Sequence, residues 1–210
     1  MTPCFIDHIA ITAPTLEAGT ELVYKSLGVK PQKGGEHPRM GTHNLLLRLG
    51  DSVYLEVISP DPMVKRPERP RWFALDEISR ETPPKLKTWV VRTEDIHSTE
   101  KICSEPVGEI EAMSRGENNW LITIPKDGSI PIVEGAPALI QWQGESHPAT
   151  QLEDHGLSLV KLQIFHPEPG RLSNFLTSIH LQGSVEILKG DKTKIVAHIE
   201  TPQGVREISA

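Results

Sequence analysis

Two stretches decide the fold, FIDHIAI at residues 5–11 and GTHNLLLRLGDSVYLEVISP at residues 41–60. In both, apolar residues recur in steps of two, which is typical of half-buried β-strands. A Gly-Asp pair divides the second stretch into the two strands of a hairpin. Polar side chains interrupt the apolar runs at His8 and Glu56. Because a lone carboxylate in an apolar sheet is costly, these positions predict a shared cavity.

The same order of elements returns along the chain. Thr15 as an N-cap and Gly28 as a C-terminal stop delimit a helix after the first strand, so the first unit is β-α-β-β-β. Two further strand–helix–strands units follow, which predicts an α+β protein built from repeated modules. The predicted organisation is a domain of paired modules at 1–145 (1–59 and 86–145) and a C-terminal βαβ-type unit at 157–210, packed on the same sheet system.

Composition and charge exclude several classes of protein. A net charge of −6 and an acidic pI of about 5.8 argue against a nucleic-acid partner, which requires a basic face. No apolar run is long enough to span a membrane, and the first residues lack the pattern of a signal peptide. The only cysteines, Cys4 and Cys103, are far apart and predict reduced packing residues. A cytoplasmic location is therefore expected.

Common catalytic signatures are missing. The sequence contains no GxSxG, GxGxxG, P-loop or HExxH motif. Hydrolases with a nucleophile elbow, dinucleotide enzymes, nucleotide triphosphatases and zincins are therefore not indicated. The expected partner is a small molecule, and a homodimer is left open.

Two polar clusters are candidates for binding that small molecule. The first cluster lies within residues 37–44. In it, Thr42 and Asn44 face one side of the predicted strand and His43 faces the other, so its residues cannot all serve one site. The alternative is a turn whose polar groups bond to loop backbone. Trp142 suits the rim of an apolar pocket beside a histidine, although it could equally be core. The predicted substrate-binding residues are His37, Arg39, Thr42, His43, Asn44, Trp142 and His147.

Several of these motifs resemble the glyoxalase-like branch of the vicinal oxygen chelate superfamily. The resemblance rests on FIDHIAI, GEHPRMGTHNLLLRLG and SVYLEVISPDP, and continues through LKTWVVRTEDI, ALIQWQGESHP and LVKLQIFHPEPGRL. It implies U-shaped, strongly curved mixed sheets made of paired βαβββ modules, with helices on the convex side. It also implies a site on the concave face, where a divalent metal chelates two vicinal oxygens of the substrate.

The resemblance assigns roles to the interrupting polar residues. His8 and Glu56 fall where the family places metal ligands, and imidazole and carboxylate suit Zn, Fe, Mn or Ni. Glu56 is also the catalytic candidate for moving a proton. In the later units Trp89 and Leu162 take the place of His8, so a four-ligand set is not carried over. Two functions stay open: a metal-assisted isomerase, lyase or dioxygenase-like enzyme, and a metal-free protein that binds or sequesters a small molecule.

Overall fold

The computed structural model describes residues 2–144 and 147–209. Within them the first module comprises β1 (Cys4–Thr12), α1 (Leu16–Leu27), β2 (Gln32–His37), β3 (Thr42–Arg48) and β4 (Tyr54–Pro60). The second comprises β5 (Lys85–Arg92), α2 (Ile96–Ile102), β6 (Glu109–Arg115), β7 (Asn118–Ile124), the single turn α3 (Pro131–Glu134) and β8 (Ala138–Trp142). The remainder comprises β9 (Ser158–His166), α4 (Pro169–Ser178), β10 (Leu181–Gln182), β11 (Val185–Lys189), β12 (Lys194–Thr201) and β13 (Gly204–Ile208).

The first two modules share one mixed sheet. Its strand order is β2-β3-β4-β1-β5-β8-β7-β6, with the short β10 added beside β1. Each module places its first strand parallel to its last, and the antiparallel pair β1–β5 joins the modules at the centre. The second module therefore repeats the first in mirror order across the sheet.

Contacts between opposite ends of this sheet show how strongly it is curved. A flat sheet of eight strands would hold its outer strands more than 30 Å apart, at about 4.8 Å per step. Instead, Arg39 at the end of β2 bonds to Glu111 of β6. The sheet is therefore rolled into a half barrel that encloses a concave cavity.

Alternating side chains separate two apolar regions. Ile9 and Ile11 of β1, with Leu55 and Val57 of β4, face the helices on the convex side and form the larger core. A second apolar cluster lies on the concave side and includes Ile58, Trp72, Trp120 and Ile140. The predicted α+β class with curved mixed sheets and helices on the convex side is confirmed.

The third unit forms a separate four-stranded sheet in the order β11-β9-β12-β13. Its apolar residues, among them Leu162 and Phe175, belong to the same core as β1 and β4. Backbone connections tie the third unit to the large sheet. β10 pairs with the start of β1, the N–H of Leu86 donates to the carbonyl of Ser209, and the N–H of Leu159 donates to the carbonyl of Leu49. The unit thus covers the convex face of the large sheet.

Local sequence signals predicted the helices well. Thr15 accepts a hydrogen bond from the N–H of Ala18, and Gly28 ends α1 with a φ of 76°. Asp95 caps α2 in the same way. The strand β2 completes the β-α-β-β-β order of the first unit, although its polar, glycine-containing run 32–37 shows no alternation of apolar residues. Residue 145, the expected end of the second module, lies outside the described residues.

In the part of the chain described here, no helix is long and apolar enough to cross a membrane.

Candidate functional site

An irregularity in β1 brings two consecutive polar side chains together. Ile6 lies opposite Val91 and His8 opposite Val90, so Asp7 has no partner residue on β5. An extra residue of this kind is a β-bulge, which interrupts the alternation of side chains between the two faces of a sheet. As a result, His8 Nδ1 lies 2.7 Å from Asp7 Oδ1.

Asp7 is completely buried and is the hydrogen-bonding centre of the site. Its Oδ2 accepts a hydrogen bond from Nε1 of Trp142 and lies 2.9 Å from Nε2 of His147. Burial alone would raise the pKa of Asp7, but the hydrogen bonds and charges of His147 and His8 outweigh it and hold the pKa well below its usual range. An ionised carboxylate only accepts hydrogen bonds, so both histidines donate to it.

These contacts fix the orientation of the two imidazoles. His147 Nδ1 accepts the N–H of Ala149, so its proton lies on the nitrogen that faces Asp7. His8 gives its Nδ1–H to Asp7, and its Nε2 lies 3.7 Å from Oε2 of Glu56. A histidine held in this way presents its second nitrogen as a proton acceptor or a metal ligand.

Glu56 is held in place through Asn44. Asn44 Nδ2 donates to Glu56 Oε1 over 2.5 Å, and its Oδ1 accepts the N–H of Gly35. A Cβ at Gly34 would overlap Asn44 Oδ1, so the glycine leaves room for the amide. Glu56 Oε2 has no hydrogen-bond donor among the described residues, and it faces His8.

Aromatic rings close the chamber around His8 and Glu56. Tyr54 stacks on His8 with the ring centroids 4.5 Å apart and an interplanar angle of 16°. Burial, and then the charges of Asp7 and Glu56, raise the pKa of Tyr54 well above its usual value, so its hydroxyl stays protonated. Further walls are Trp72, Phe73, Trp120, Ile122 and Ile140.

The chamber is small and adjoins a larger cavity. Its volume is about 20 Å³, which is enough for about one water molecule. His37, Trp72 and Trp120 line both this chamber and a second cavity of about 220 Å³. A small molecule in the larger cavity therefore lies next to the His8–Glu56 pair.

His37 contributes a neutral imidazole to the wall between the cavities. Its Nδ1 lies 3.1 Å from Oγ1 of Thr42, and its ring meets Trp72 edge-on at 5.1 Å. Burial, with a smaller effect from the charge of Arg115, lowers the pKa of His37 to about 3. The ring is uncharged at neutral pH.

The structure brings most of the predicted residues together, with two exceptions. The predicted residues that line the chamber are His8, His37, Glu56 and Trp142. Behind them, Thr42 contacts His37, Asn44 bonds to Glu56, and His147 bonds to Asp7. His43 is not among them, because it lies on the same face of β3 as Leu45 and Leu47 and points toward the convex side. Arg39 lies at the larger cavity, where it is largely exposed and bound to Glu111.

Other site residues were not identified from the sequence. Asp7 carried a signal, because two adjacent polar residues in an apolar strand are consistent with a bulge. Trp72, Trp120 and Arg115 reach the cavity only because distant segments meet when the sheet curves, so no local pattern indicates them.

The second module supplies a different surface to the cavity. Trp89 pairs with Ile9 and lies in the convex core, where its Nε1 donates to the carbonyl of Gly135. On β5, Val90 is the residue opposite His8. Leu162 is buried in the third unit. Neither Trp89 nor Leu162 reaches the site.

The family model for the glyoxalase-like domain matches residues 6–179, which is most of the chain. The chain belongs to the glyoxalase-like domain family. The resemblance to glyoxalase-like proteins seen in the sequence is therefore confirmed.

Several solved structures are similar to this glyoxalase-like protein at low sequence identity. A hypothetical protein from Staphylococcus aureus matches with a TM-score of 0.63 and 15% identity, covering 90% of this chain and 87% of that one. Methylmalonyl-CoA epimerase from Mycobacterium tuberculosis matches with a TM-score of 0.42 and 16% identity, covering 65% and 85%. A mutant of 4-hydroxymandelate synthase from Streptomyces coelicolor gives 0.45 and 13%, covering 97% and 61%. No curated protein matches the sequence significantly.

The donors in this glyoxalase-like site fit a divalent metal poorly. His8 Nε2 and Glu56 Oε2 face each other and are the two donors that a metal would use. Asp7 is engaged by three hydrogen-bond donors, and the second module contributes aliphatic, indole and guanidinium groups to the chamber, none of which is a metal ligand. Within the described ranges, no group of three or more His, Cys, Asp and Glu is arranged to hold an ion. Catalytic zinc sites take three protein ligands, so this set is one short.

Proposed function

We propose that the concave cavity binds a small organic metabolite and that His8 and Glu56 move a proton on it. The observation that carries this proposal is the pair of atoms His8 Nε2 and Glu56 Oε2, which lie 3.7 Å apart and face one buried chamber. Asp7 holds the imidazole and Asn44 holds the carboxylate, so both proton acceptors are fixed before a ligand arrives.

The arrangement suits transfer of a proton at a carbon next to a carbonyl group. One of the two acceptors takes the proton, and the electron pair of the broken C–H bond moves to the carbonyl oxygen to give an enolate. The group that took this proton, or its neighbour once the proton has passed between them, returns it to the same or a neighbouring carbon, so both side chains regain their starting protonation states. The chamber has room for about one water molecule, so a bound ligand would be shielded from bulk water. This is isomerase chemistry that uses the protein's own side chains.

Two alternatives have observations in their favour. The aromatic walls and the neutral His37 would also suit a protein that binds or sequesters a ligand without changing it. Metal-assisted isomerase, lyase or dioxygenase-like chemistry is favoured by the Asp7–His8 contact, because metal-binding histidines are commonly held by a carboxylate. The proposal favours direct proton transfer, since among the described residues two metal donors, His8 and Glu56, converge on one point.

Hydrogen exchange of candidate ligands in D₂O tests the proposal. Small 2-oxo and 2-hydroxy acids and aldehydes would be incubated with the protein, and replacement of C–H by C–D would be followed by NMR. We expect exchange for at least one compound, reduced about 100-fold or more in Glu56→Gln and His8→Gln. Asp51→Asn, an exposed acid far from the chamber, is the matched control. Ligand binding without exchange for every compound would support the binding protein instead.

Metal analysis separates the remaining alternative. Protein purified without a histidine tag would be assayed for bound Zn, Fe, Mn and Ni. The proposal expects far less than one equivalent per chain and exchange that survives chelator treatment. About one equivalent of metal, lost in both His8→Ala and Glu56→Ala, would replace proton transfer by metal-assisted chemistry.

A further inference from the structure

The side chain of Arg115 in β6 has no hydrogen bond or ion pair among residues 2–144 and 147–209. Its stem crosses Gly35, where an added Cβ would lie 2.6 Å from Arg115 Cδ, and its side chain lines the same chamber as His8 and Glu56. The neighbouring arginines differ from Arg115, because the side chains of Arg39 and Arg69 are both bound to Glu111. Of these three arginines, Arg115 is the one whose charge is not neutralised by direct contact with a carboxylate.

A second donor at the same cavity also lacks a partner. Trp72 is 4% exposed, and its Nε1–H has no acceptor in the part of the chain that the structure describes. Its ring lines both the His8–Glu56 chamber and the larger cavity beside it. A buried N–H without an acceptor is costly, so an acceptor from outside the protein is the physical expectation.

The charge of Arg115 acts on the interior of the cavity. Among charged groups it has the largest effect on the pKa of His37, which it lowers, and it opposes the rise in the pKa of Tyr54 that the two acidic side chains cause. His37 is itself uncharged, so it does not compete with Arg115 for an anion. The cavity therefore combines one cation, one unpaired N–H donor and apolar rings.

We infer that the ligand is a small carboxylate with an apolar or aromatic body, whose carboxylate is bound by Arg115 and Trp72. This inference names the substrate class for the proposed function. It rests on the proposed function for the reaction, whereas the binding of a carboxylate is independent of that function. Guanidinium and indole N–H groups both donate to carboxylate oxygens, and a guanidinium does so strongly. The apolar body would lie against Trp120 and Met113 in the larger cavity. The carbon next to the carboxylate or keto group would then face His8 and Glu56.

Binding of phenylacetate and its neutral isostere phenylacetamide tests the inference by calorimetry and indole fluorescence. We expect the protein to prefer the anion by about tenfold or more. Arg115→Gln should remove the preference while amide binding persists, and Arg115→Lys should restore part of it. Trp72→Phe should weaken phenylacetate binding several-fold and leave the amide nearly unchanged. Arg66→Gln removes an exposed charge and should change neither affinity.

The outcomes separate this inference from the proposed function. Equal affinity for the two probes, an unchanged preference in Arg115→Gln, or no saturable binding of phenylacetate overturns carboxylate recognition. Glu56→Gln should retain the preference, because its role is in proton transfer. A preserved preference in a protein that exchanges no C–H proton would leave carboxylate binding standing and remove the proposed reaction. Thermal unfolding of each variant shows whether it is folded.

Discussion

At the scale of single residues, Asp7 joins three separate parts of the site. It bonds to His8 on its own strand, to Trp142 at the end of β8, and to His147 in the following segment. A neutral residue of the same shape would therefore test how much the charge of Asp7 contributes to the free energy of unfolding, since an ionised carboxylate accepts from all three donors.

Asp7→Asn should lower the free energy of unfolding by about 2–4 kcal/mol, because an amide nitrogen would face groups that donate. Urea unfolding at neutral pH measures the change. Asp51→Asn, whose side chain is 96% exposed, should stay within about 0.5 kcal/mol of the parent. Equal stability of the two variants would mean that Asp7 is not the centre of the network.

His37 should make the protein sensitive to mild acid. Its pKa is lowered from 6.5 to about 3 in the folded state, so the folded protein binds fewer protons than the unfolded chain between these values. The stabilisation is present above about pH 6.5 and is lost as the pH falls toward 3. Between pH 7.5 and 4.5 this group should remove about 2–3 kcal/mol from the free energy of unfolding.

His37→Gln should reduce this acid-dependent loss, which unfolding curves at several pH values would show. His97→Gln, which changes an exposed histidine on α2, should keep the full loss. The comparison is made above pH 4.5, because protonation of Asp7 begins to lower the free energy of unfolding only near the pKa that an aspartate has in the unfolded chain. Parallel pH profiles for His37→Gln and the parent would show that the loss comes from other groups.

At the scale of elements, the edge strand β2 controls the position of Glu56. Gly34 leaves space for the Asn44 amide, which in turn holds Glu56. Gly34→Ala should displace that amide and reduce the rate of proton exchange about tenfold or more, while the sheet stays folded. Gly170→Ala adds a methyl group in open space within α4 and should leave the rate unchanged. An unaltered rate in Gly34→Ala would show that the Asn44–Glu56 contact does not matter for catalysis.

The elements also show how far the sequence leads. Alternation and caps are local, so α1, the hairpin and the polar pair His8 and Glu56 follow from nearby residues. The bulge at Asp7 and the strand β2 depend on pairing with neighbouring strands, which local patterns do not report. Arg115 and Trp72 come to the cavity through curvature of the whole sheet, and for that reason no motif marks them.

At the scale of the whole molecule, the modules and the third unit share one core. A chain ending at residue 156 would expose the convex apolar face and lose the pairing of β10 with β1. We expect this truncated chain to be insoluble or unfolded, and the full chain to unfold in a single transition. Circular dichroism and calorimetry measure both. A soluble, cooperatively folding 1–156 fragment would show that the paired modules are independent of the third unit.

The pairing of β1 with β10 also bears on how the fold forms while the chain is being synthesised. Cys4 and Phe5 pair with Leu181 and Gln182, which the ribosome adds about 175 residues later. At about 5–20 residues per second, β1 waits roughly 10–35 s for this partner. Throughout that interval the start of β1 lacks its β10 partner and remains open to other nascent chains, whereas β4 and β5 are already present to pair with the rest of the strand. A chaperone that binds the nascent chain at the ribosome and covers the start of β1 should therefore raise the yield of native protein more than one that acts after the chain leaves the ribosome.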